Sequence, residues 1–260
     1  MAYRTHVQLS DEDLSHCATE PIHVPGSIQP HGCLLAFDSD SHVVVQASAN
    51  VEAFLGTAAH DLLGRRVSDV LPLALTRQIV EALADPSPAV ATALQWKGLC
   101  ATLHEHDGIV ILEAERAAAD HVSGALDIGR ALRHLSTVGE LDALLQATVR
   151  IVRDLSGFDR VVVYRFDADN HGEVVSEARY EDMSPYLGLH FPESDIPRQA
   201  RELYLRSWIR AIPHGTYVPV PLLAAAGAEA AGPLDLSWST LRSVSPVHLE
   251  YMPTWAFRRR

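Results

Sequence analysis

The sequence has little of what several common functions require. Its three cysteines, Cys17, Cys33 and Cys100, are odd in number and too widely spaced for a disulfide framework or a zinc site. Lys97 is the only lysine, and a net charge of −12 argues against nucleic acid as a partner. No apolar run approaches the roughly 20 residues of a membrane span, and residues 1–17 lack the apolar core of a signal peptide. We therefore expect a cytoplasmic protein with no membrane partner.

The first half of the chain contains the pattern of one mixed domain. A length of 260 residues and a hydrophobic content of 47% fit about two globular domains. Two short apolar runs, at residues 33–38 and 43–47, are followed by helical patterns at 47–56, 59–64 and 75–83. Three more apolar runs follow, at residues 90–96, 100–104 and 109–113. His106–Gly108 is a turn signal between the last two runs. This order predicts an antiparallel sheet with flanking helices, as in a PAS domain.

The second half begins with a polar stretch at residues 117–129 and then two helical patterns, at Leu126–Leu135 and Leu141–Leu155. Phe158–Phe166 is predicted as a strand that pairs with Glu173–Ala178 across the connection DADNHG at residues 167–172. A helix, a hairpin, a loop and another helix are typical of the start of a GAF domain.

The segment after this hairpin predicts a loop that enters a helix. Ser194 or Asp195 can accept backbone N–H bonds as a cap, and Pro197 fits the first turn, where its missing donor is harmless. Apolar residues then share one arc of a helix that would extend to Arg210: Ile196, Ala200, Leu203, Tyr204, Trp208 and Ala211. Spacing alone fits a capped amphipathic helix with one arginine at the edge of its buried face.

Four ordered motifs are more specific than the spacing. They are CATEPIHVPGSIQPHG from Cys17, the stretch Phe158–Ala178, PESDIP followed by QARELY, and LRSVSPVHLEYM from Leu241. Together they resemble phytochromes, and most closely bacteriophytochromes, from about Leu14 to Met252. The resemblance therefore covers nearly the whole chain.

The resemblance implies an α+β fold in which a PAS domain is followed by an incomplete GAF domain. The implied organisation is an N-terminal arm carrying the chromophore cysteine, a PAS domain, a linker, the GAF domain and a tail unlike the family, at residues 1–22, 23–116, 117–129, 130–252 and 253–260. In the family the arm passes through a GAF loop as a figure-of-eight knot, and Ile28 matches the arm residue inside that loop. Two later GAF strands of the family have no counterpart here.

The sequence of the tail at residues 253–260 can be related to the family sequence by a shift in reading frame. Codons for the family's Asn-Met-Gly-Val, shifted by one base, encode the Thr-Trp-Ala-Phe of Thr254–Phe257. We hypothesise a single-base frameshift; the alternative is an engineered or unrelated terminus.

The implied cofactor is biliverdin IXα, a linear tetrapyrrole. Cys17 matches the arm cysteine that bonds to a bilin vinyl group, although without the resemblance it would be a free thiol on an arm. Plant-type members use a cysteine before the histidine of the last motif, and Val247 stands there. Cys33 and Cys100 lie in apolar strand patterns and are expected in the core.

Other residues match the family's bilin pocket. Arg210 and Arg242 match the propionate ligands with Ser245 beside them, since a planar guanidinium can hold a carboxylate by two bonds. His248 matches the histidine beside the central pyrroles, and Asp195 the residue whose backbone carbonyl accepts pyrrole N–H bonds. Tyr164, Phe191 and Tyr251 match the aromatic cage of the isomerising D ring, and Ile196, Pro197 and Tyr204 line the same pocket. Each could instead be an ordinary structural residue.

The implied function is red/far-red light sensing by Z/E isomerisation of covalently bound biliverdin. The chain shows no activated nucleophile and no metal cluster, so neither an enzyme activity nor a metal site is expected. An output module is not present in this chain. A homodimer formed through GAF helices is also expected. The alternative function is that of a truncated, non-photoactive PAS–GAF protein that acts only as a dimerisation or partner-binding module.

Overall fold

The structure, a computed structural model, describes residues 20–84, 92–117, 121–227 and 232–245. Its strands are β1 Ser27–Ile28, β2 Gly32–Asp38, β3 Val44–Ser48, β4 Thr92–Trp96, β5 Leu99–His106, β6 Ile109–Arg116, β7 Arg160–Phe166, β8 Gly172–Arg179, β9 His190–Phe191 and β10 Val220–Ala224. Its α-helices are α1 Glu52–Leu55, α2 Ala59–Leu62, α3 Val67–Val70, α4 Leu73–Ala84, α5 His121–Leu135, α6 Leu141–Ser156 and α7 Arg198–Arg206.

Two compact units share these elements. The larger unit combines Thr19–Ala117 with Gln199–Pro253, and the smaller unit holds Ala118–Arg198. Residues after 199 thus group with the first half of the chain, and α5 begins inside the stretch that the sequence suggests as a linker. No helix in the described ranges is both long and apolar enough to span a bilayer.

The larger unit is built on an antiparallel sheet. Its strands lie in the order β1-β10-β3-β2-β6-β5-β4. The predicted succession of two strands, helices and three strands is confirmed, and the turn at Asp107 and Gly108 has the positive φ angles of 49° and 74° that a tight hairpin requires. The single-turn helix α3 and the strand β10 are not anticipated by the sequence pattern.

The central strands β2 and β6 are buried on both faces because each face of the sheet is covered there. On one face, Cys33, Leu35 and Phe37 of β2 pack with residues of α1–α4. On the other, Leu34 and Ala36 pack with Ile28, Leu236 and Leu241. β2 is therefore almost continuously buried and contains an apolar run rather than an alternating pattern.

The segment of residues 23–29 is hydrogen-bonded on both sides. β1 pairs with β10, where Ile28 is opposite Val220. On the other side Ile28 forms an antiparallel bridge with Arg242, and the Ser243 N–H donates to the Ser27 carbonyl. Ile28 is fully buried, as expected for a residue inside a loop. Passage of the arm through a closed loop stays a prediction.

The structure requires glycine at position 32, the last residue of the IQPHG motif. A Cβ there would lie 2.6 Å from Leu241 Cδ1 and 2.8 Å from the Ala114 carbonyl oxygen. Only glycine therefore lets Leu241 lie against the start of β2.

The smaller unit has a three-stranded antiparallel sheet in the order β7-β8-β9. The predicted hairpin is confirmed, with Val161 opposite Ala178 and Phe166 opposite Gly172. Helix α6 carries Val149, which is fully buried, and its Gln146 side chain donates to the Ser176 hydroxyl. Val149 and Val174 are the only buried apolar side chains that the described residues of this unit contain.

The helix predicted to extend to Arg210 is shorter than expected. A 3-10 turn at Glu193–Asp195 precedes α7, which ends at Arg206. The Ser207 hydroxyl donates to the Ile209 carbonyl, beyond the helix. Trp208 is 89% exposed, so its predicted place on a buried helical face is wrong.

Candidate functional site

Two guanidinium groups of the larger unit lie close together. Arg210 Nη2 donates to the carbonyls of Arg242 and Ser243 at 2.9 and 3.1 Å. Arg242 is 4% exposed and its Nη1 makes only long bonds, of 3.4 and 3.5 Å, to the carbonyls of Leu236 and Ser237. The sequence-based pairing of Arg210 with Arg242 thus has a structural counterpart, although here both groups donate to backbone.

Both arginines carry charge in a poorly solvated place. Burial lowers the pKa of Arg210. Burial, and next the charge of Arg210, lowers the pKa of Arg242 to about 10. The ion-paired arginines of the described ranges include Arg130, Arg160, Arg165 and Arg179, whereas neither site arginine forms an ion pair there. The Asp235 and Glu113 carboxylates act on Arg242 electrostatically without forming an ion pair with it. Two neighbouring cations that lack a direct ion-pair partner in the described ranges form a site that favours an anion.

A tyrosine fixes the backbone beside this pair. The Tyr217 hydroxyl accepts from the Val244 N–H at 2.7 Å and lies 3.0 Å from the Ser243 hydroxyl. Tyr204, on α7, is 48% exposed and is close enough to act electrostatically on both arginines. Tyr204 was predicted to line the pocket, whereas Tyr217 gave no sequence signal.

Ser245, three residues after Arg242, is bonded to the start of the described arm. Its hydroxyl donates to Glu20 Oε2 at 2.5 Å. Glu20 follows Cys17 by three residues in the sequence. Cys17 itself, His248, Tyr251 and the tail at 253–260 lie outside the described residues.

Gln29 is a buried side chain at the same junction. Its Nε2 donates to the Ala211 carbonyl at 2.9 Å and lies 3.5 Å from the carbonyls of Thr240 and Arg242. Its Oε1 is buried without a hydrogen-bond partner among the described residues. Gln29 stands next to Ile28 in the motif that begins at Cys17, but no role was predicted for it, so sequence reasoning missed it.

Glu113 was also missed. It is 2% exposed on β6, and its carboxylate accepts from the Ser239 hydroxyl, the Thr240 N–H at 3.0 Å and the Leu241 N–H at 2.7 Å. Burial raises the pKa of this carboxyl overall, although the three hydrogen bonds act in the opposite direction. A glutamate that ends a predicted strand gives no sign that a loop about 126 residues later will enclose it.

A small cavity lies in the larger unit. It measures about 230 Å³ and is lined by Gln29, Pro30, His31, Pro213, His214 and Tyr217. This volume is below the roughly 300–1,000 Å³ of pockets for drug-sized ligands. A tetrapyrrole therefore does not fit in this cavity alone.

The smaller unit contains an aromatic cluster. The ring centroids of Tyr164 and Phe191 are 5.9 Å apart, and those of Tyr164 and Phe166 are 5.1 Å apart. Tyr186 extends the cluster at 6.4 Å from Phe191. Gly172 permits this arrangement, because a Cβ there would lie 1.8 Å from Tyr164 Cζ. Two of the three residues predicted for an aromatic cage are thus brought together.

Three further residues predicted for the pigment site, Asp195, Ile196 and Pro197, come shortly after Phe191 in the sequence. Asp195 is exposed, yet partial desolvation raises its pKa. Ile196 and Pro197 are half-buried just before α7. No group of three or more metal-ligating side chains occurs in the part of the chain that the structure describes.

The two cysteines in strands differ. Cys33 is buried as expected, and burial raises the pKa of its thiol to about 12. Cys100 is only half-buried on β5, so its expected place in the core is only partly realised.

Comparisons with known proteins agree with this geometry. Residues 17–117 match a family model described as a PAS fold, PAS_2. A bacteriophytochrome of Pseudomonas aeruginosa is 38% identical over 251 residues, which cover 94% of this chain and 34% of that protein. Cyanobacterial phytochrome B of a Nostoc species is 36% identical over 252 residues, covering 92% of this chain and 34% of its own. The chain thus spans about a third of the length of these curated relatives.

Solved structures extend the match beyond residue 117. The chromophore-binding domain of Stigmatella aurantiaca phytochrome P1 is 40% identical, with a TM-score of 0.81, and covers 92% of this chain and 82% of its own. That of a bacteriophytochrome from R. palustris is 37% identical, with a TM-score of 0.78, over 92% and 81%.

Proposed function

Since the chain belongs to the bacteriophytochrome family as a PAS–GAF chromophore-binding region, we propose that it senses red and far-red light through a bound bilin. The expected event is light-driven Z/E isomerisation of the pigment. The proposal assigns no catalytic residue and no metal ligand.

The observation that carries the proposal is the arginine pair. Arg210 and Arg242 are neighbouring cations that are removed from water and have no carboxylate partner among the described residues. A bilin brings two propionate carboxylates, and Arg–carboxylate bonds are the strong, geometrically specific kind. Bound propionate would supply a direct ion-pair partner, and Ser245 would donate to it only by giving up its bond to Glu20.

Biliverdin IXα, attached through Cys17, is the pigment that we propose. Of the two alternative thiols, Cys33 is buried with a pKa of about 12 and so contributes almost no thiolate at neutral pH. Cys100 is held within β5 of the antiparallel sheet. Because thiolate is the form that adds to a vinyl group, the arm cysteine is the best candidate.

The aromatic cluster supports a place for the isomerising ring. Tyr164 and Phe191 have the ring separations of packed aromatic side chains, which suit a flat pyrrole ring. We propose that Asp195, Ile196 and Pro197 adjoin the pigment, and that His248 and Tyr251 complete its site.

The test is co-expression with a source of biliverdin. We expect a far-red-absorbing protein whose pigment stays attached on a denaturing gel viewed by zinc-induced fluorescence. Cys17→Ser should abolish the attached pigment, whereas Cys33→Ser and Cys100→Ser should retain it. A colourless parent protein would contradict the proposal, and an adduct that survives Cys17→Ser would contradict the attachment site.

A second candidate function is a dimerisation module without photochemistry. Helices α5 and α6 carry apolar side chains that are about half exposed or more, among them Ile128, Leu132 and Leu141. Homodimer formation would cover such a surface. Sedimentation of the parent and of Leu132→Glu would test it. This function requires that the parent is a dimer and that the charge introduced at residue 132 dissociates it.

A further inference from the structure

A carboxylate of β6 holds the loop that presents the arginine pair. Glu113 is 2% exposed, and each of its oxygens is engaged by Ser239, Thr240 or Leu241. All three partners donate, and an ionised carboxylate is the side chain that only accepts. The Glu113 side chain therefore bonds this loop to β6 by three hydrogen bonds.

The same loop continues directly into the candidate anion site. Arg242 follows Leu241, and the carbonyls of Arg242 and Ser243 receive the Arg210 guanidinium. The Leu241 carbonyl accepts from the Gln29 N–H at 2.8 Å. Leu241 is therefore held through its N–H by Glu113 and through its carbonyl by Gln29. A displacement of residues 239–241 would therefore move both arginines.

We propose that Glu113 is a positioning residue for bilin recognition: by fixing Ser239–Leu241 it aligns Arg242 and Arg210 for a propionate carboxylate. This inference rests on the proposed function and deepens it. In this role Glu113 acts through the loop, and its charge also acts directly on Arg242.

The chemistry of the clamp makes Glu113→Gln the informative substitution. Glutamine keeps the size of the side chain but replaces one accepting oxygen by an NH₂ group. That group would oppose an N–H or O–H donor of the loop, so at least one bond is lost and the loop must shift. Glu105→Gln is the matched control, because Glu105 is exposed on the neighbouring strand β5.

The experiment compares two pigments, biliverdin and its dimethyl ester, in which both propionates are blocked. All proteins carry Cys17→Ser so that binding stays reversible, and affinities are measured by absorbance titration. We expect the parent to prefer the free acid by at least tenfold, as the loss of a charge-assisted bond to each arginine implies. Glu113→Gln should lose about tenfold in affinity for the free acid and little for the ester, while Glu105→Gln should match the parent.

Each outcome decides a different point. An equal loss for both pigments in Glu113→Gln would show a merely structural role and overturn the inference alone. A parent that binds acid and ester equally would overturn the inference by removing the arginine–propionate contact on which it rests. A parent that binds neither pigment would overturn the proposed function itself. Should Glu113→Gln not fold, Ser239→Ala removes one donor only, and a smaller loss in the same acid-to-ester preference is then required.

Discussion

Replacing Arg242 by methionine should separate folding from pigment recognition. Methionine fills much of the arginine stem but carries no charge, so Arg242→Met removes a buried cation and leaves little space. In the apo-protein this cation is 4% exposed, close to Arg210, and without a carboxylate partner in the described ranges. We therefore expect the substitution to help the fold and to harm bilin binding.

The magnitude follows from the pKa of Arg242. Burial and the Arg210 charge lower that pKa from 12.5 to about 10, which corresponds to about 3 kcal/mol against the charged side chain. Its bonds to Leu236 and Ser237, at 3.4 and 3.5 Å, are at the limit of hydrogen bonding and return about 0.5 kcal/mol each. The apo-protein should thus gain about 1–2 kcal/mol in free energy of unfolding. A lost charge-assisted bond should weaken bilin binding by about 1.5–3 kcal/mol.

Urea unfolding of the apo-protein, followed by circular dichroism, gives the first quantity, and pigment titration in a Cys17→Ser background gives the second. Arg206→Met is the control, because Arg206 is exposed at the end of α7. The reasoning is refuted if Arg242→Met lowers the free energy of unfolding by more than about 2 kcal/mol while bilin affinity is unchanged. That result would make Arg242 a structural residue of the loop.

Three further predictions concern the fold. Amide hydrogen exchange should be slow in β2 and β6 and fast in β7–β9, whose unit has few buried apolar side chains; slow exchange throughout would contradict this. Gly32→Ala should lower the free energy of unfolding by about 1–3 kcal/mol, because its Cβ would meet Leu241, whereas Gly98→Ala, with open space at its Cβ, should show only the smaller backbone cost of a positive φ. Burial and next the His106 charge lower the pKa of His104 to about 4, so the unfolded chain binds the extra proton and stability should fall as pH drops from 6.5 to 4. His104→Phe should flatten that part of a stability–pH curve, and an unchanged slope would refute it.

Local patterns were sufficient for much of the larger unit. The runs that became β2, β5 and β6 alternate with turns whose residues adopt positive φ, so their signals are contained in a few neighbouring residues. Strand β10 was missed because its partners Gln46–Ser48 lie far away in the chain, and Pro221 argues against a strand. Pairing at that distance leaves no local trace.

The candidate site shows the same division. Arg210, Arg242 and the pair of Tyr164 and Phe191 were recognised through motifs of the family, and the structure places each pair together within its own unit. Gln29 and Glu113 were missed because their roles depend on the loop that buries them and not on their neighbours in sequence. The helical repeat also extended α7 too far, since periodicity continues past Ser207 although the backbone does not.

The pairing of β3 with β10 has a consequence during synthesis. Leu222 is opposite Ser48, so roughly 170 residues must be made after β3 before its outer edge can be covered. At about 5–20 residues per second, the nascent chain carries that open edge for about 10–35 s. During this interval the open edge of β3 can pair with other nascent chains. We therefore expect the yield of folded protein to depend on the growth temperature and on the concentration of chaperones.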